Sequence, residues 1–235
     1  MTRGILWLAY GGEFDKLGAA AAAYSRKYTD LPMHVVTNLP ESERHDWPDG
    51  TTFGWVDMPT EQNRAVKVSL IEHTPFDLTL ALDVDAVLQR PGIERFFDDL
   101  AEHDLAIQQA EVIRSEAHRA KSNFYRTFYL SLMAKTGEPY PLAVLQSSAF
   151  LWRQSPAAQR FFGKWRELWE LGGCRRDMPG FSLAARIPGV KIKVYQAKQD
   201  GFLANGRNRD RVIQHRGYRL FLADFGLPEY EDWNP

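Results

Sequence analysis

The chain has 235 residues, of which 44% are hydrophobic and 25% charged, and a formal net charge of −1. This is the balance of an ordinary globular protein of about one domain, which argues against general disorder, and its apolar runs fall far short of the roughly 20 residues that cross a bilayer. One cysteine, Cys174, excludes an internal disulfide and a cysteine-held zinc, and it suits a cytoplasmic location.

Strand-like and helix-like patterns alternate along the chain. Arg3 to Tyr10 is a short apolar run closed by Gly11-Gly12 and is read as a buried first strand rather than a secretion signal. The Ala-rich stretch from Phe14 to Tyr28 predicts a helix. Met33–Thr37 and Thr52–Val56 predict strands on either side of a Pro- and Gly-containing loop. Thr60 to His73 has a helical spacing of apolar residues, and Leu78 to Val84 reads as a central strand buried on both faces. A helix from Pro91 to Leu100 and a strand from Leu105 to Gln108 follow. In the second half a helix is expected over Ala117–Lys135 and a strand over Ala143–Trp152. Ser155-Pro156 caps a helix to Leu171 whose aromatics are read as core packing, and Val190–Val194 is a last strand. Such alternation predicts an α/β fold with a mostly parallel central sheet flanked by helices, in which ligands sit beyond the carboxyl ends of the strands.

The charges divide unevenly. Residues 1–109 hold 9 basic against 18 acidic side chains, a balance of −9, and residues 110–235 hold 20 against 12, a balance of +8. Either the halves neutralise each other across a shared core, or the second half meets an anionic partner. Ile113 to Tyr129 interleaves Arg114, Arg119, Lys121 and Arg126 with Phe124, Tyr125, Phe128 and Tyr129. That pattern fits an amphipathic helix, and it also fits a surface for sugar rings or nucleic acid.

The segment LTLALDVDAVL carries the most chemistry. Asp83 and Asp85 close a strongly apolar strand, and alternation puts both carboxylates on one face with Val84 pointing away. Two such charges repel unless a cation lies between them, and Mg²⁺ or Mn²⁺ suits carboxylate oxygens and a diphosphate; solvated aspartates in a turn are the plainer alternative. Arg64 and Lys67 lie one turn apart on the preceding predicted helix. In VIQHRGYR, His215 is a candidate metal ligand, Gly217 admits a close phosphate, and Arg207, Arg209, Arg211, Arg216 and Arg219 crowd around them. Asp177 stands between Gly172-Gly173 and a predicted helix, either as its N-cap or as a carboxylate offered to a sugar hydroxyl.

Taken in order, ILWLAYGG, NRAVKVSLIEHTPFDLTLALDVDAVL, LQSSAFLWRQSPAAQRFF, GGCRRDMPGFSLA and VIQHRGYR resemble GT-A-fold glycosyltransferases, most nearly the glycogenin-like retaining enzymes and related bacterial or viral ones. The resemblance spans roughly residues 3–219 of what is expected to be a single domain, residues 1–109 binding nucleotide and 110–235 binding sugar and acceptor. It implies a GT-A (Rossmann-like) fold and metal-dependent transfer of a sugar from a nucleotide diphosphate, most nearly UDP. Asp83, Asp85 and His215 are then the Mn²⁺ or Mg²⁺ ligands. Ala9, Tyr10, Gly11, Thr37 and Asn38 would line the base pocket, with Asp83 and Val84 near the ribose or base. Lys67, with Arg64, Gly217 and Arg219, would meet the diphosphate, and Gln146, Ser147 and Ser148 the donor sugar. Lys67 and Asp177 would be the catalytic pair. Two motifs depart from the pattern. The usual Asn-Ser-Gly is Gln146-Ser147-Ser148-Ala149, and the usual Asp-Gln is Asp177-Met178.

Two other functions compete. A nucleotidyltransferase needs a Gly-rich, basic phosphate loop, for which Tyr10-Gly11-Gly12-Glu13 is too short. A non-catalytic nucleotide-sugar-binding protein is the other alternative, against which the intact Asp83, Asp85 and His215 count. The acceptor is open, with nucleic acid among the candidates.

Overall fold

The computed structural model describes residues 1–115, 123–196, 200–205 and 211–215. A seven-stranded sheet forms the centre. Its strands are β1 (Arg3–Leu8), β2 (Met33–Thr37), β3 (Thr52–Trp55), β4 (Leu78–Leu82), β6 (Leu105–Ile113), β7 (Leu142–Arg153) and β8 (Ile192–Gln196), in the order β3-β2-β1-β4-β7-β6-β8. Only β7 runs against the others. A second sheet joins β5 (Ala86–Leu88), β10 (Ile213–His215) and β9 (Leu203–Asn205). Strands from both halves of the chain therefore share the main sheet. None of the described helices is long and apolar enough to cross a membrane.

Helices pack on both faces, so β1 and β4 are nearly continuous apolar strings. On one face α1 (Gly11–Ser25) and α3 (Glu94–Asp98) close a core with Ile5, Trp7, Val35, Leu80 and Phe97. On the other lie α2 (Asn63–Lys67), α4 (Asn123–Thr136), α5 (Pro156–Leu171) and α6 (Met178–Ala184). There Phe150, Trp152, Phe162, Trp165 and Phe181 meet at ring centroids of 4.7–6.2 Å.

Several expected boundaries shift for local reasons. The helix expected over Thr60–His73 is broken into a 3-10 turn, the five-residue α2 and a second 3-10 turn at Leu70–Glu72. The Ser69 hydroxyl donates to the carbonyls of Ala65 and Val66, and β-branched Val66 and Val68 flank it, so the helix has local competitors. The helix expected from Pro91 begins only at Glu94, because Gly92 takes φ +104°, outside any right-handed helix. The strand expected to reach Val84 stops at Leu82. The helix after Ser155 starts as expected, with the Ser155 hydroxyl accepting from Ala158 N–H. Part of the helix expected over Ala117–Lys135, including Arg119 and Lys121, lies outside the described residues; α4 covers the rest.

Candidate metal and donor site

Asp83 and Asp85 come together in a tight turn and not along a strand. Ala86 N–H donates to the Asp83 carbonyl at 2.9 Å, which reverses the chain between β4 and β5. Asp83 N–H donates to the Ser148 carbonyl on β7, so the turn is fastened to the neighbouring strand. Val84 turns inward, and a Cβ built on Gly18 of α1 would stand 3.3 Å from its Cγ1.

The small sheet supplies the third group. β10 pairs antiparallel with β5, with His215 opposite Ala86, and this register sets the imidazole beside Asp85. His215 Nε2 is 3.2 Å from Asp85 Oδ1. One donor atom from each of Asp83, Asp85 and His215 falls within 4.8 Å of the others. Ligands at a bond length of about 2.1–2.3 Å from one ion stand at most about twice that distance apart, so a closing movement of a few tenths of an ångström at most would let all three share a divalent cation. The two carboxylate oxygens and one imidazole nitrogen suit Mn²⁺, and Mg²⁺ with water completing its shell.

A second group of charges lies alongside. Lys67 Nζ is 2.8 Å from Asp83 Oδ1 and 3.2 Å from Asp177 Oδ2. Arg64 Nε is 3.9 Å from Asp177 Oδ1. The Ser147 hydroxyl donates to Asp177 Oδ2 at 2.8 Å. Asp177 precedes α6 with helical φ and ψ and makes no capping bond with its side chain, so of its two readings the structure removes the N-cap. Its main chain is held instead: its carbonyl accepts from Trp165 Nε1 at 2.8 Å. Trp165, expected as core packing, thus also anchors the site, and no sequence signal marks that bond.

The charges follow from this geometry. Burial pushes the Asp83 carboxyl up, and the nearby Asp85 and Asp177 add to this beyond what Lys67 offsets. Burial also pushes Asp85 and Asp177 up, but His215 beside Asp85, and Lys67 with the Ser147 hydroxyl beside Asp177, outweigh it and hold both below the ordinary range. Burial lowers Lys67 and His215, yet their carboxylate partners dominate and both end above their usual values. Asp177 is therefore an anion clamped by a cation, and Lys67 stays charged.

The predicted base-binding residues lie at the carboxyl end of β1 and β2. Ala9 and Tyr10 are fully enclosed, and burial raises the Tyr10 phenol to about 12 while its hydroxyl donates to the Val56 carbonyl at 3.3 Å. Thr37 is also enclosed, its hydroxyl accepting from Leu39 N–H. Asn38 accepts from Gly11 N–H and donates to the Met58 carbonyl and the Thr60 hydroxyl. Gly11 has φ +78°, and a Cβ there would meet Thr60 Cγ2 at 2.9 Å, so the turn into α1 requires glycine. Gln146 is half-buried and Ser148 buried on β7, and among the described residues the Ser148 hydroxyl has no hydrogen-bond partner. Gly217 and Arg219, with Arg207, Arg209 and Arg216, lie outside the described residues.

No protein-family model matches the sequence, and no curated protein matches it. Solved structures do. A galactosyltransferase, LgtC, solved in complex with donor and acceptor sugar analogs, is 14% identical, with a TM-score of 0.60 over 97% of this chain and 98% of that one. An active-site mutant of LgtC is 14% identical, with a TM-score of 0.59 over 92% and 87%. Mouse xyloside xylosyltransferase 1 in its apo form is 13% identical, with a TM-score of 0.58 over 94% and 99%. The sheet order, the flanking helices and these likenesses agree on one architecture: the chain has the GT-A fold of these glycosyltransferases.

Proposed function

We propose that the chain is a metal-dependent glycosyltransferase that moves a sugar from a nucleotide diphosphate, UDP being the first choice, with retention at the anomeric carbon. The carrying observation is the adjacency of two clusters at the carboxyl end of β4, Asp83–Asp85–His215 and Lys67–Asp177–Ser147. A Mn²⁺ or Mg²⁺ ion held by Asp83, Asp85 and His215 would neutralise charge on the departing diphosphate. Lys67 presents a fixed ammonium to the same developing charge. Asp177 faces the sugar as an anion and supports positive character at its reacting carbon. Lys67 and Ser147 hold this carboxylate below the ordinary range, which suits a standing anion beside the sugar. Gly11 and Asn38, which keep exposed surface at the ends of β1 and β2, are assigned to the base, with the enclosed Ala9, Tyr10 and Thr37 shaping that pocket from behind, the Val84 main chain to the ribose, and Gln146 to Ser148 to the sugar. Arg64, Gly217 and Arg219 are assigned to the phosphates.

Calorimetric titration of nucleoside diphosphates and nucleotide-sugars, with Mn²⁺ or with chelator, tests the reading. The expected result is tight binding of one nucleotide that needs the metal. Release of pyrophosphate from a nucleoside triphosphate would instead make the chain a nucleotidyltransferase. Metal-dependent binding with neither transfer nor hydrolysis of any donor would make it a binding protein.

A further inference from the structure

β7 does not run straight through the site. Below it, Leu105, Ala106 and Ile107 on β6 face Trp152, Leu151 and Phe150; beyond it, Gln109 faces Leu145. One residue on β6 is thus spanned by 146–149 on β7, and the excess swings Gln146 to Ser148 out of the β6 ladder. Such a detour leaves backbone groups to be satisfied elsewhere. The Ser148 carbonyl takes Asp83 N–H. Leu145 N–H takes a side chain: it donates to the hydroxyl of Ser182, on α6, at 2.9 Å.

Ser182 is buried, and its hydroxyl has two further neighbours. It donates to the Met178 carbonyl at 3.1 Å and lies 3.0 Å from the Tyr129 hydroxyl, which itself donates to Met178 at 3.2 Å. Met178 follows Asp177 directly. The segments 145–147 and 177–182 are therefore tied twice, by Leu145 N–H to Ser182 at one end and by the Ser147 hydroxyl to Asp177 at the other.

We propose that Ser182 is a positioning residue for the transfer reaction, its hydroxyl accepting the Leu145 N–H where β7 leaves the β6 ladder and so holding the detour in β7 that aims Ser147 at Asp177. The proposal rests on the functional reading above. Ser182 does not touch donor or metal; it sets the orientation of the carboxylate that does. Metal and nucleotide binding, which depend on Asp83, Asp85 and His215, meet the detour only through the Ser148 carbonyl that accepts from Asp83 N–H, so they are expected to change less than the transfer step.

The test compares Ser182→Ala, Ser182→Thr and Phe97→Leu, the last a core change on the opposite face of the sheet. Ser182→Ala is expected to lower kcat roughly 10- to 100-fold, as a small misplacement of a reacting group does, with calorimetric affinity for UDP and Mn²⁺ falling much less than kcat. Ser182→Thr, which keeps the hydroxyl, is expected to recover most of kcat. Phe97→Leu is expected to lower the melting temperature and leave kcat. Full kcat in Ser182→Ala, or equal loss in Phe97→Leu, would overturn the proposal. Should the wild-type chain transfer or hydrolyse no donor, the functional reading fails by itself. Amide hydrogen exchange over residues 145–149 then decides the structural claim: faster exchange in Ser182→Ala but not Phe97→Leu supports it, and unchanged exchange overturns it.

Discussion

Lys67 and Asp177 meet at 3.2 Å, an ammonium and a carboxylate brought from α2 and from the turn before α6. The same ammonium is 2.8 Å from Asp83, so one cation separates two largely enclosed anions. Removing it should be costly. Lys67→Ala leaves Asp83 and Asp177, both partly exposed, without their shared cation, and is expected to lower stability by about 1–3 kcal/mol. Urea unfolding measures the loss. The variant should also be inactive under conditions where it remains folded, and a fully active folded variant would show that the ammonium has no part in transfer.

Asp83→Asn and Asp85→Asn should separate folding from ligand binding. Each keeps the shape of the turn while removing one carboxylate from the proposed metal ligands. Metal-dependent nucleotide binding is expected to weaken more than ~100-fold, beyond what outer contacts to a metal contribute, with a normal circular-dichroism spectrum. Calorimetry with and without chelator checks this. Undiminished Mn²⁺-dependent binding in both variants would place the ion elsewhere.

Asp104 should matter for stability and not for chemistry. It is buried where β6, β7 and β8 meet the start of α5, and it accepts from Lys191 N–H, Arg153 and the Ser155 hydroxyl. Burial pushes its carboxyl up, but these donors outweigh that and hold it below the ordinary range. Its contribution is therefore present above the unfolded carboxyl pKa and is lost as pH falls through the folded one. Asp104→Ala is expected to cost about 3 kcal/mol, with kcat per folded molecule unchanged. A combined urea melt and active-site titration would read both.

Acid should weaken the fold through a pair of histidines. Burial lowers His34, and the nearby His73 lowers it further; His73 is itself lowered by burial and by Arg166, with Glu72 opposing. The unfolded chain then takes up protons first. Stability should be complete above the ordinary histidine value of 6.5 and should fall as the pH drops below it. Melts at about pH 7.5, 6 and 5 should show the decline, and His34→Gln should flatten it. An identical slope in wild type and variant would assign the acid sensitivity to other groups.

Much of the architecture is written locally. The apolar strings at β1, β2 and β4, the Ala-rich α1 and the Ser155-Pro156 start of α5 need no distant partner to be recognised, because hydrophobic period and capping chemistry act within a few residues. The types of residue at the site were also legible, since two aspartates ending an apolar strand stand out against what burial tolerates. What local pattern cannot carry is the pairing of segments far apart in the chain. Three-residue strands such as β5, β9 and β10 have too little period to read, yet the β5–β10 register is what puts His215 beside Asp85. The turn that joins Asp83 to Asp85 depends on a hydrogen bond to Ser148, and the anion at Asp177 on a lysine from α2 and a serine from a detour in β7. Local chemistry along the chain was enough to say where most elements form and which side chains carry charge. Which of those charges meet was settled by the folded arrangement, because burial in a shared site is what makes an unpaired carboxylate costly enough to demand its partner.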